Sequence, residues 1–167
     1  MNKDNSLAEQ AYQTAYHYEQ SREHCAQSTL AAILESMDSV DESLIQAVDG
    51  LTGGTALSTE GTCGALAAGI LAISRLTGRS YSNFKDHLPG HSWNEVTALA
   101  DQFHNHYGGL TGAAVHRHLF GKVYSLRDPS AREKFNRAGA HEDKCPSVCG
   151  NVARWTVEIL LDLEQHK

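Results

Sequence analysis

The chain has no long run in which apolar and polar residues alternate, the pattern a half-buried strand leaves in a sequence. "KVYSL" at 122–126 is a weak strand candidate and stands alone, so a sheet-based fold is not expected. The longest apolar run, "ALAAGILAI" at 65–73, falls far short of the roughly 20 residues that cross a bilayer. No apolar segment follows the early lysine of "MNKDNSLAEQ", so no export signal is expected. Basic residues are too few and too scattered to form a stripe: 14 Lys and Arg stand against 20 Asp and Glu, for a formal net charge of −6. Phosphate contacts need clustered cations, which sets nucleic acid and anionic membranes aside as partners. There is no C-x-x-C pair, no C-x-x-C-H, and no helix with a carboxylate between two histidines. No nucleophile stands beside a base, so hydrolytic chemistry is not expected. Repeats and low-complexity linkers are also absent.

What is present is a helical pattern. With 167 residues, 41% of them hydrophobic, the chain suits one domain (1–167) around one core. "SLAE" at 6–9 and "SVDE" at 39–42 read as capping boxes, a hydroxyl three residues before a carboxylate. Leu7, Ala11, Ala15 and Tyr18 repeat at helical spacing, and Leu30, Ile33, Leu34 and Met37 do so after a break near Ser21. Leu44, Ile45 and Val48 form a short helix ahead of Gly50. "GLTGGTALSTEG" at 50–61 is a loop, after which Thr62 caps a helix with Cys63 in its first turn. "SWNE" at 92–95 opens a helix that Gly108 and Gly109 close. Asp128 caps another, with Pro129 at its first position and Gly139 at its end. Pro146 begins a final helix carrying Val148, Val152, Trp155, Ile159 and Leu163. The expected fold is all-α, a single-domain bundle of six or seven helices.

Four cysteines, Cys25, Cys63, Cys145 and Cys149, stand in a chain for which no export signal is expected. In a reducing compartment such a set points to metal or redox chemistry before disulfides. Cys63 and Cys145 fall at helix starts, and Cys25 lies near one. Free N–H groups and the helix dipole there stabilise a thiolate, the form that binds metal, and they suit an anionic iron–sulfur cluster. Gly64 lets a backbone or a bulky cofactor come close. Cys149 lies one turn beyond Cys145. Against this stands the tendency of free cysteine simply to fill space in a core. Four thiolates also suit a closed zinc site. His104 and His106 in "FHNHYG" and His116 and His118 in "HRHLFG" could form a metal cluster, though most histidines are surface residues or partners in ordinary hydrogen bonds. Trp93 and Trp155 are expected in the core or at an interface.

"HCAQSTLAAILE" (24–35), "GTCGALAAG" (61–69), "HRHLFG" (116–121) and "KCPSVCGNVARWTVEIL" (144–160) occur in this order. Together they resemble the redox-active protein family named for its C_GCAxxG_C_C cysteine pattern. That family is similar to the iron–sulfur part of a split-Soret cytochrome. The resemblance implies a small helical cytoplasmic protein of anaerobes with an iron–sulfur or dithiol role. It assigns Cys25, Cys63 and Cys145 to three of the family's four cysteines. His116 stands where the family has the other one, so either His116 or the additional Cys149 is left to complete a ligand set.

The leading expectation is therefore an iron–sulfur redox protein that passes electrons to or from a protein partner. Cys25, Cys63 and Cys145 would be ligands, with Cys149 or His116 as the fourth. The alternatives are a metal-free thiol–disulfide protein using Cys145 and Cys149, and a structural zinc module. A homodimer is expected from the apolar final helix and from the dimeric cytochrome relative.

Overall fold

The computed structural model describes residues 3–86 and 93–166. They form α1 (Lys3–Arg22), α2 (Cys25–Ser36), α3 (Glu42–Ala47), α4 (Gly64–Thr77), α5 (Tyr81–Lys85), α6 (Asn94–Tyr107), α7 (Gly112–Phe120), α8 (Pro129–Arg137) and α9 (Cys145–Gln165). A 3-10 turn, Asp49–Leu51, follows α3, and a π turn, Ala140–Lys144, leads directly into α9. No strand occurs among the described residues, and "KVYSL" is an irregular connection. The all-α expectation holds. Seven of the helices have nine residues or more, while α3 and α5 are little more than single turns.

Helices α1, α2, α4 and α9 pack on one another, and α6 covers the side of α4 and α9. The core runs between them through Leu30, Ile33, Leu66, Ile73, Leu99, Phe103, Val152 and Val157, all buried. The buried stripe of α1 is Ala8, Ala11, Ala15 and Glu19. Small side chains at this spacing let α1 lie close against α9, the most extensive helix pair of the fold. The apolar face of α9 (Val148, Val152, Ala153, Val157, Leu160) is occupied by this packing inside the chain. A smaller cluster of Tyr124, Leu126, Phe135 and Ala140 sits beneath α7 and α8.

Several local expectations change. Ser6 is not a cap, because α1 starts at Lys3 and Ser6 lies inside it. In "SVDE" the capping group is Asp41, whose carboxylate accepts from the Leu44 N–H at 3.1 Å, not Ser39. Cys63 rather than Thr62 holds the cap position of α4. Ser92 lies outside the described residues, and α6 is described from Asn94. Helix α7 was not anticipated. Thr111 caps it, accepting from the Ala114 N–H at 3.2 Å, and Gly121 ends it at φ 69°. The Asp128–Pro129 start holds, with the Asp128 carboxylate accepting from the Ser130 N–H at 2.9 Å. The close at Gly108 also holds, at φ 75°. Trp93 is 59% exposed and Trp155 is half-buried.

Candidate functional site

Cys25 opens α2, Cys63 caps α4, and Cys145 and Cys149 occupy the first two turns of α9. The packing of these three helices brings all four cysteines to the wall of one cavity of about 310 Å³. His116 on α7 reaches the same cavity. Cys63 and Cys149 are buried, Cys25 and Cys145 partly so, and none is in a disulfide. Exposed residues of the α1 end (Arg22, Glu23, His24) and of α8 (Arg132, Asn136) form the outer part of the lining.

Two features of the backbone set the sulfurs in place. One is the loop after the 3-10 turn. Gly53 to Leu57 and also Thr59 have φ between 48° and 68°, a left-handed path that side-chain-bearing residues rarely take. The loop is over-determined by its own hydrogen bonds: Ala56 N–H donates to Gly50 O, Thr59 N–H to Gly53 O, and Gly61 N–H to Gly54 O, at 2.9–3.0 Å. Strain of this kind persists only where the surroundings enforce it, and it tends to collect at functional sites. A pairing with the start of α7 locks the far end, where Cys63 N–H donates to Leu110 O at 2.9 Å and Gly112 N–H to Gly61 O at 3.1 Å. The second feature is Gly64. A Cβ there would meet the Cys25 sulfur at 2.6 Å and Leu51 O at 3.1 Å. The missing side chain is what lets the start of α4 touch the Cys25 sulfur.

The expected stabilisation of thiolates by helix starts is present but is outweighed. The N–H groups of Ala65 and Leu66 act on Cys63, yet burial dominates and pushes its thiol up to about 11. Burial likewise holds Cys25 well above the usual thiol range, helped by the nearby charges of Glu19 and Cys63 and opposed by the N–H groups of Gly53 and Ala26. Cys145 and Cys149 are raised in the same way, by burial first and the Glu19 charge next. Cys145 also lacks the free helix start expected for it. The π turn Ala140–Lys144 runs into α9 without a break, and Lys144 before it is already helical at φ −72°, ψ −68°.

His116 is 5% exposed and packed among rings. It stacks on Phe135 at a centroid distance of 4.8 Å and meets Phe120 and Tyr124 edge-on. Its Nδ1 accepts the Tyr124 backbone N–H at 3.3 Å. Burial lowers its pKa to about 4, so the ring is neutral. His106 and His118 lie elsewhere, in an aromatic group with Tyr107 and Trp155, and neither lines the cavity. His104 also stands apart from it.

Sequence reasoning missed Glu19, Thr52 and His141, which line the same cavity. Glu19 is 1% exposed. Its Oε1 lies 3.2 Å from His141 Nδ1, while its Oε2 has no hydrogen-bond partner among the described residues. Thr52 Oγ1 is likewise buried and unpartnered. Burial raises the Glu19 pKa, with the His141 contact opposing the rise. The sequence signal was available: a glutamate in register with the buried alanines of α1.

Among the described residues, no three His, Cys, Asp or Glu side chains converge to hold a single metal ion. The donors surround a void instead. Two orphaned polar atoms and four cysteines lining one cavity fit a bulky cofactor with cationic metal at its surface. No helix among the described residues is long and apolar enough to cross a membrane. Neither a curated protein nor a solved structure matches the chain. A family model does, over residues 23–159, a span that holds all four cysteines and His116, and the chain therefore belongs to the family described as "Putative redox-active protein (C_GCAxxG_C_C)".

Proposed function

We propose that the cavity holds an iron–sulfur centre on Cys25, Cys63, Cys145 and Cys149, and that the protein exchanges electrons with a protein partner in the cytoplasm. The observation that carries this reading is the gathering of four cysteines, drawn from three distant stretches of the sequence and three helices, around one cavity. Such a centre, when bound, supplies one-electron chemistry. The chain's part is to supply thiolates, to exclude water and to aim N–H groups at sulfur. Gly53, Ala26, Ala65 and Leu66 direct theirs at Cys25 and Cys63. Bonds of that kind raise the potential of a centre. The sequence resemblance to the iron–sulfur part of the split-Soret cytochrome points the same way.

Metal-free thiol exchange fits less well. The attacking species is the thiolate, and burial keeps all four thiols protonated near neutral pH. A metal centre overcomes that barrier by displacing the protons itself. A single zinc ion needs donors about 2.0–2.3 Å from one point, whereas these surround a void.

For the fourth ligand we favour Cys149 over His116. A metal-bound imidazole normally donates its second N–H to an acceptor. Here Nδ1 accepts from Tyr124, so ligation through Nε2 would cost that bond or leave an imidazolate. Anaerobic reconstitution with iron and sulfide tests the reading. The wild-type chain should turn brown with visible absorption and bind both elements, and Cys63→Ser and Cys149→Ser should lose most of the colour. His116→Ala should keep it. A colourless wild-type product without iron overturns the proposal, and loss of the centre in His116→Ala with retention in Cys149→Ser reverses the ligand choice.

A further inference from the structure

The iron–sulfur reading leaves Glu19 without a task. A buried carboxyl oxygen with no partner is costly, and the last place on a stripe of alanines is one that an apolar side chain would fill without that cost. The cost is accounted for when Oε2 has a partner that enters the cavity from outside the chain. The other oxygen is already held: Oε1 faces His141 Nδ1 at 3.2 Å, and His141 Nε2 lies 4.0 Å from the Glu23 carboxylate at the surface. A carboxylate with one oxygen fixed by a donor and the other free is the form in which metal-ligating carboxylates are found. Glu19 lines the same cavity as the four thiols, and its charge reaches each of them. Oxygen donors from carboxylates bind iron alongside softer ligands.

We propose that Glu19 Oε2 is an oxygen ligand of the metal centre in this cavity, a fifth protein donor beside the four cysteines, with His141 as the residue that positions it. The inference rests on the iron–sulfur reading above. It would make the centre chemically asymmetric, because the iron beside Glu19 would carry an oxygen donor that thiolates alone do not supply.

The test uses the full chain, reconstituted without air with 57Fe and sulfide and read by Mössbauer spectroscopy, with iron counted per chain. The wild type should show one subsite with the larger isomer shift of mixed sulfur–oxygen coordination. Glu19→Gln keeps a polar group against His141 but is a poor ligand, so that subsite should vanish while the iron count stays unchanged. His141→Phe should leave the subsite in place but broaden it, since Oε2 then lacks its fixed partner oxygen. A wild-type spectrum containing only all-sulfur iron overturns the proposal, and so does a Glu19→Gln spectrum identical to wild type. Either result leaves the cysteine centre standing. Absence of iron from the wild type defeats the underlying reading and this inference with it. Should Glu19→Gln fail to fold by circular dichroism, the wild-type spectrum alone decides.

Discussion

Replacing Gly64 by alanine separates the centre from the fold. The new Cβ would lie 2.6 Å from the Cys25 sulfur, 3.1 Å from Leu51 O and 3.3 Å from Ala26 Cβ. The sulfur contact is about 1 Å short of an ordinary van der Waals separation, so the sulfur or the start of α4 has to retreat by about that much. Overpacking of this size costs about 1–3 kcal/mol, and alanine's better helix propensity returns about 1 kcal/mol. The net loss for the metal-free protein is then roughly 0–2 kcal/mol, a fall in Tm of no more than about 8 °C at this chain length. Metal binding is far less forgiving, since ligand distances tolerate shifts of only about 0.2 Å. Gly64→Ala should therefore fold, melt within a few degrees of wild type by circular dichroism, and bind only a small part of the wild-type iron and sulfide. Gly69→Ala is the contrasting case. Its Cβ would strike Thr156 Oγ1 at 2.6 Å and Leu99 Cδ2 at 2.7 Å, inside the packing of α4 against α9 and α6. That variant should lose stability first and cofactor only as a consequence. If Gly64→Ala takes up iron and sulfide like wild type and shows the same spectrum, the Cys25 sulfur is not a ligand in this position and the argument fails.

Two further outcomes follow from the same geometry. Ala56 is exposed at φ 48°, in the left-handed stretch of the loop; Ala56→Gly relieves about 1–2 kcal/mol of strain against about 0.4–1 kcal/mol of added unfolded-state entropy, so an unfolding free energy from chemical denaturation that rises by about 0–1.6 kcal/mol is expected, and a fall would refute the reasoning. Burial lowers the His116 pKa to about 4 from an ordinary 6.5, so below pH 6.5 the unfolded chain binds the extra proton and the folded one does not. Stability of the metal-free protein should fall between about pH 6.5 and 4, by on the order of 3 kcal/mol, and level off below. His116→Phe keeps the stacking on Phe135, loses the Tyr124 bond, and should flatten that limb when the two proteins' urea midpoints are compared at each pH; parallel curves would refute the assignment.

The parts of this molecule that were legible in its sequence are those decided within one turn of chain. Asp128 before Pro129, and Gly108 behind the Phe103–Tyr107 turn, act through bonds to residues two to four places away, and the structure has both where the sequence puts them. Ser6 and Ser39 fit the same local grammar and failed, because α1 continues upstream of Ser6 and Asp41 offered a carboxylate closer to the orphan N–H groups of α3. Helix α7 escaped notice because "GAAVHRHLF" offers only a short apolar stripe and its buried histidine reads as polar; Phe135 on α8, from a distant part of the chain, makes that position part of a core. The left-handed loop could not be foreseen past its two glycines, since nothing in Thr55, Ala56 or Leu57 announces a positive φ; the loop's internal hydrogen bonds hold it, and the pairing with Leu110 and Gly112 locks its far end.

The cysteines show the same division in electrostatic terms. The N–H groups that favour a thiolate at Cys63 belong to Ala65 and Leu66, two and three residues on, so the sequence displays them. The larger opposing effect is burial, which depends on how α1, α2, α4 and α9 close around the sulfurs, and no local motif records it. Glu19 lies on the same side of that divide. A stripe search that counts apolar residues passes over a glutamate, although its register with Ala8, Ala11 and Ala15 aims it inward. A carboxyl group forced inward by its register needs a cation or a donor to meet it. His141 meets one of its oxygens, and the cavity holding the four cysteines is where the other must find its partner.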